Sequence, residues 1–167
     1  MNYKKLTLNI FLCLCIISCS TRGAISTYNN DIHLDETATF KNVSVVDESG
    51  YILDDKDKID IAETMKNAID TALIKENLVG DDYTIKTTII KYDPGNAFKR
   101  WLLPGDFGAT KLDTITKVYK DDTLVATIPV ERYVGFGGVF TIGKWKAVFD
   151  EVAETIVEYL KKAKSRQ

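Results

Sequence analysis

The chain has 167 residues, 45% of them hydrophobic and 28% charged, with a formal net charge of −2. That length bounds it to one domain with a core large enough to stand alone. The acidic balance argues against nucleic acid, whose binders carry a basic face. One histidine and three cysteines, the latter all within residues 13–19, exclude zinc sites built on Cys and His. A histidine-dependent triad is equally poorly served, because His33, the only candidate base, lies in the polar stretch ahead of the first patterned element.

The chain opens with Lys4 and Lys5, followed by the apolar run Leu6 to Ile17. A helix needs about 20 apolar residues to cross a bilayer. This run is too short for that and suits the h-region of an export signal. It ends in Ile16-Ile17-Ser18-Cys19, which resembles the bacterial lipobox. The resemblance implies cleavage before Cys19 and acylation of that residue. Cleavage after a small residue further along, at Ser18, Ser20 or Ala24, is the alternative. On the lipobox reading, residues 1–18 are the signal peptide, 19–35 an acylated tether and 36–167 a periplasmic domain. Cys13 and Cys15 leave with the signal, so the domain holds together without disulfides. Ser20 after the cysteine resembles lipoproteins sorted to the outer membrane.

Residues 38–47 read as a first strand, with Phe40, Val43, Val45 and Val46 as its apolar content. From about Lys58 to Val79 the apolar residues recur at helical spacing, Ile61, Met65, Ile69 and Ala72 among them. Asp55 or Asp57 suits its N-cap and Gly80 its C′ position. Residues 83–92, 110–120 and 123–133 read as three more strands. The last two are joined by Asp121-Asp122, a hairpin-length link that Asn-Gly would suit better. Pro129 cannot donate to a ladder and predicts an edge or a strand end. A closing helix from about Lys144 to Lys164 carries an apolar stripe through Val148, Val152, Ile156 and Tyr159. Its terminal lysines complement the helix dipole. The order β-α-β-β-β-α predicts an α+β fold: a four-stranded, mainly antiparallel sheet with both helices on one face.

Three segments invite a chemical reading. Asp55 to Asp60 has the acidity of a calcium loop, but Ile59 stands where an oxygen ligand belongs and Asp60 where glycine does. "GFGGVFTIG" (135–143) precedes a helix, yet Phe140 breaks G-x-G-x-x-G and Trp145 breaks the Walker pattern. The reading is therefore a tight turn that tucks Phe136 into the core or onto a partner. The third segment, "DPGNAFKRWLLPGDFGATK" (93–111), is long for a hairpin connection and rich in residues that anchor interfaces. Phe98, Lys99, Arg100, Trp101 and Phe107, with Phe136, are the candidate partner-binding residues. The loop is either a docking surface or a cap over the sheet edge. No catalytic residue, metal ligand or cofactor is expected; carboxylates such as Asp106 and Glu131 show no pairing in sequence.

Gly95 to Trp101, then Gly105-Asp106-Phe107-Gly108-Ala109, then Gly135-Phe136-Gly137-Gly138, resemble a family of uncharacterised bacterial outer-membrane lipoproteins, known only as a domain of unknown function. The resemblance spans roughly residues 36–162. It departs from the family at Leu102-Leu103-Pro104-Gly105, where a G-x-G-x-G start is usual. By analogy of architecture alone, the domain is similar to those of envelope lipoproteins that activate peptidoglycan synthases or assist curli export. The expected function is a non-enzymatic accessory or binding subunit of a cell-envelope complex, held at the outer membrane through Cys19 and facing the periplasm. The alternative is a periplasmic lipoprotein that binds a small ligand or lipid.

Overall fold

The computed structural model describes residues 32–52, 59–96, 98–99, 108–134 and 146–165. Six elements follow the predicted order: β1 (Phe40–Asp47), α1 (Ile61–Lys75), β2 (Tyr83–Asp93), β3 (Thr110–Lys120), β4 (Thr123–Val134) and α2 (Ala147–Lys164). The sheet runs β1-β2-β3-β4. β2, β3 and β4 form an antiparallel meander. β1 lies parallel to β2, from Phe40 opposite Tyr83 to Asp47 opposite Ile89. A parallel neighbour needs a crossover, and α1 supplies it.

Alternation decides the faces. On β2, Tyr83, Ile85, Thr87 and Ile89 are buried; on β3, Leu112, Thr114, Thr116 and Val118; on β4, Ala126, Ile128 and Val130. The two helices cover this side, and their buried stripes include Met65, Ile69 and Leu73 on α1 and Val148, Val152 and Ile156 on α2. Ile32 and Leu34, ahead of the first strand, are buried in the same core. Two threonines sit inside it back to back: Thr87 and Thr116 are cross-strand partners with hydroxyls 2.9 Å apart.

The helix ends correct three expectations. Asp60, not Asp55 or Asp57, caps α1, its carboxylate accepting the Glu63 N–H at 2.9 Å. Asp55 and Asp57 lie outside the described residues. At the other end α1 stops at Lys75. The Leu78 N–H reaches the Leu73 carbonyl and the Asn77 N–H that of Ile74, with Asn77 at φ 54°. This is a Schellman ending with asparagine in the left-handed position. Gly80 serves a different need: a Cβ there would lie 2.1 Å from Thr39 Oγ1 and 2.4 Å from Thr39 Cβ. Its glycine is required by close approach to β1, not by the cap.

The β3–β4 link is the expected hairpin, and both residues take it by adopting positive φ, Asp121 at 48° and Asp122 at 63°. Pro129 lies opposite Ile115 on β4, an edge strand. An edge is where its missing N–H does least harm.

The molecule therefore has two ends. At one, the chain enters through Leu34, whose N–H donates to the Ala163 carbonyl at 3.1 Å. Lys164 Nζ donates to the Ala38 carbonyl at 2.8 Å. Asp35 takes Lys120 at 2.9 Å and the Tyr83 hydroxyl at 3.2 Å. The other end gathers the C-termini of β1, β2 and β4, the start of β3 and the starts of both helices.

Candidate functional site

At this second end the β2–β3 connection is closed at its foot. Asp93 Oδ1 accepts the Gly95 N–H at 2.8 Å. The Asn96 N–H bonds the Gly108 carbonyl at 3.0 Å, and Thr110 Oγ1 donates to the Pro94 carbonyl at 2.8 Å. Gly95 and Gly108 both hold positive φ, 69° and 75°. A Cβ on Gly95 would come within 2.3 Å of the Gly108 oxygen. Two glycines thus let the incoming and outgoing strands of the loop touch backbone to backbone. Asn96 Oδ1 then accepts the Lys99 N–H at 2.9 Å, starting a helical turn that presents Phe98 with 65% of its surface exposed.

Beside that foot, Val134 at the end of β4 pairs with Thr110 at the start of β3. β4 therefore ends next to the foot of the β2–β3 connection. An aromatic chain supports this end from the helical side. Tyr51 meets Tyr92 edge-on at 5.2 Å between centroids, and Tyr92 meets Phe149 at 5.5 Å.

Of the residues singled out from sequence, Phe98 and Lys99 are placed on this rim, both exposed. Arg100, Trp101, Phe107 and Phe136 lie outside the described residues, as do Cys19 and Asp106. Glu131 sits opposite Asp113 across β3–β4. Burial first, then the Glu131 charge, raises the Asp113 pKa, while Lys91 and Lys111 pull it back. Among the described residues no three His, Cys, Asp or Glu side chains cluster to hold a metal ion. No described helix is long and apolar enough to cross a membrane.

Surface grooves lie on the helical side. One follows the α1–α2 seam past Ala72, Val157 and the ion pairs Lys75–Glu154 and Lys161–Glu76. A second runs between β1 and α1, past Asn42, Asp70 and Ile74.

Sequence reasoning overlooked the opposite side of the sheet. Lys86, Thr88 and Ile90 of β2, Lys111, Ile115, Lys117 and Tyr119 of β3, and Thr127 and Tyr133 of β4 are exposed or half-buried. No described element packs over them. The signal was present in the period-two alternation of "YTIKTTIIKY" and "TKLDTITKVYK", whose polar positions are filled largely by lysine and threonine.

An α+β domain with a one-sided helical layer and a rim of loops at one end is the class that these features define. The chain belongs to the family described as "Domain of unknown function (DUF4410)", which matches residues 34–138. No curated protein matches it in sequence. Among solved structures, it is similar to the PelC L103M dodecamer from Paraburkholderia phytofirmans, with 9% identity and a TM-score of 0.57 over 89% of this chain and 100% of that one. It is also similar to protein XCC0632 from Xanthomonas campestris, with 9% identity and a TM-score of 0.52 over 82% and 90%. A minor lipoprotein from Acinetobacter baumannii aligns at 13% identity and a TM-score of 0.39 over 71% and 91%. At such identities the first two likenesses speak to the fold.

Proposed function

We propose that this chain is an outer-membrane lipoprotein, acylated at Cys19, whose domain serves as a non-enzymatic binding subunit of a cell-envelope complex. The anchor rests on the sequence: a charged start, a short apolar run and Ile16-Ile17-Ser18-Cys19. The contact surface rests on one observation. The pairing of Thr110 with Val134 sets the end of β4 beside the start of β3, at the end of the sheet where Phe98 is exposed. The chain enters at the opposite end, through Leu34 beside Ala163. A chain that enters at one end and exposes Phe98 and Lys99 at the other suits a tethered adaptor. Phe98, Arg100 and Trp101 are the residues assigned to the partner.

Two experiments test the two halves. Palmitate labelling of the wild type against Cys19→Ser tests the anchor; equal labelling of both removes it. For the surface, a photo-crosslinker at position 98 is expected to trap one envelope protein, and Arg100→Ala/Trp101→Ala to abolish that adduct with an unchanged circular dichroism spectrum. An adduct that survives the double substitution, or a double variant that unfolds, refutes the assignment.

A further inference from the structure

The exposed side of the sheet differs from the rest of the surface in how its charges are used. On the helical side the lysines are engaged: Lys66 with Asp70 at 2.7 Å, Lys75 with Glu154 at 3.0 Å, Lys162 with Glu158 at 2.7 Å, and Lys161 with Glu76. Lys86, Lys91, Lys111 and Lys117, all on the open side, make no ion pair among the described residues. Asp93, Asp113 and Glu131, towards the loop end, are the carboxylates set among them, Asp93 opposite Lys111 and Asp113 opposite Lys91. Lys86 and Lys117 are the two of these lysines with no carboxylate opposite them, so the cation of this face gathers at its centre.

The centre of that face is built against the stability of the sheet. Lys86 stands directly opposite Lys117 across β2–β3, and like charges in that position repel. Lys86 Nζ rests 5.0 Å above the Tyr119 ring, which holds one ammonium in place without neutralising it. Ser44 pairs with Lys86 and Thr127 with Lys117, so a row of hydroxyls and ammonium groups crosses all four strands. Around this row, Val46, Ile90 and Leu124 are 43–49% exposed. Unpaired lysines on long aliphatic stems, hydroxyl donors and scattered apolar tips match a surface of phosphates above hydrocarbon.

We propose that the open sheet face is a docking surface for anionic phospholipid headgroups, with Lys86 and Lys117 at its centre. The proposal builds on the lipid-anchored reading, which holds the domain beside phospholipid. Residues 19–32, fully extended, reach about 45 Å, enough for the sheet to lie against the membrane that holds the anchor. Adsorption would then turn the partner-binding rim sideways along the membrane surface.

The test uses the chain from Ser20 onward, which carries no acyl group and contains the whole core, with vesicles of phosphatidylcholine alone or with about one-third phosphatidylglycerol. Co-sedimentation is expected with the anionic vesicles only, and it should weaken as salt shortens the Debye length. Lys86→Gln/Lys117→Gln is expected to lower partitioning about 30-fold at low salt. Lys75→Gln/Lys162→Gln, an equal charge change on the helical side, should leave it within about threefold. Equal loss in both double variants, or binding to neutral vesicles, overturns the assignment to this face. Displacement by inorganic phosphate beyond that of chloride at matched ionic strength identifies a free-anion site instead and also overturns it. So does a sedimentation velocity that reports self-association abolished by Lys86→Gln/Lys117→Gln. Because no acyl group is present, failure here leaves the Cys19 labelling result standing.

Discussion

Gly80→Ala is a small change with a large expected cost. The added methyl would sit 2.1 Å from Thr39 Oγ1, 2.4 Å from Thr39 Cβ and 3.1 Å from Thr39 Cγ2. Rotating the threonine side chain moves the hydroxyl and methyl but not the β-carbon, so backbone must shift. The shift has little room, because the Phe40 N–H bonds the Leu78 carbonyl at 2.8 Å and the Gly80 N–H bonds the Phe40 carbonyl at 3.1 Å. It also disturbs Asp82, which accepts both the Thr39 N–H at 3.0 Å and its hydroxyl at 2.6 Å. Overpacking costs about 1–3 kcal/mol, and a disturbed hydrogen bond about 0.5–1.5 more. Against this stands about 0.4–1 kcal/mol gained from the stiffer unfolded chain, since Gly80 φ lies outside the left-handed region. The balance is a loss of about 0.5–4 kcal/mol, centred at about 2, or a melting temperature lower by roughly 4–8 °C at the centre. Urea unfolding followed by circular dichroism measures it. Thr39→Gly in the same chain removes the obstructing atoms, so the double variant should recover most of what Gly80→Ala loses beyond the cost of Thr39→Gly alone. A stable Gly80→Ala variant, or a Thr39→Gly background that gives no relief, would refute the close-approach account.

Asp113 supplies a pH-dependent test. Its native pKa is raised by burial and by Glu131, so the folded state holds its proton to higher pH than the unfolded one. Stability from this group is therefore lost as pH rises from the unfolded value through the native one. Asp113→Asn should raise the urea midpoint at pH 7 and leave it unchanged at pH 3, where the wild-type carboxyl is already protonated; equal gains at both would point to packing instead. In the core, Thr87→Val leaves the Thr116 hydroxyl without its partner and should cost about 1–3 kcal/mol in thermal unfolding. Adding Thr116→Val should restore most of that loss, and a further loss from the second substitution would contradict the paired-hydroxyl account.

Much of the fold was legible because period and burial coincide. Alternation in residues 83–92 and 110–120 located β2 and β3 within a residue, and Asp121-Asp122 marked the hairpin because short acidic side chains tolerate positive φ. Pro129 announced an edge or a strand end, and it lies within β4, at the edge of the sheet. Helix ends were harder. Asp55, Asp57 and Asp60 are chemically equivalent N-caps, and only the geometry of the first turn selects Asp60. Gly80 drew the C-terminal assignment because glycine favours the left-handed position, yet Asn77 occupies it and Gly80 answers to a steric demand from Thr39, far away in sequence. That demand arises from tertiary contact and leaves no local pattern. The candidate rim was legible in part: composition singled out Phe98 and Lys99, but not that Gly95 and Gly108 close the loop or that Val134 emerges beside it. The lysines of the open face were visible as a strand pattern and were passed over, because a solvated strand face reads the same way whether or not something docks on it.

The hydrogen bond between Leu34 and Ala163 places the two extremities of the domain within a few ångströms of each other. A short linker could splice them, and the chain could be cut open in the loop at the far end without rearranging the core. A molecule rewired in this way behind the proposed acylated leader would hang inverted from its attachment. Its rim would then face the bilayer, separating what the domain owes to its chemistry from what it owes to its orientation.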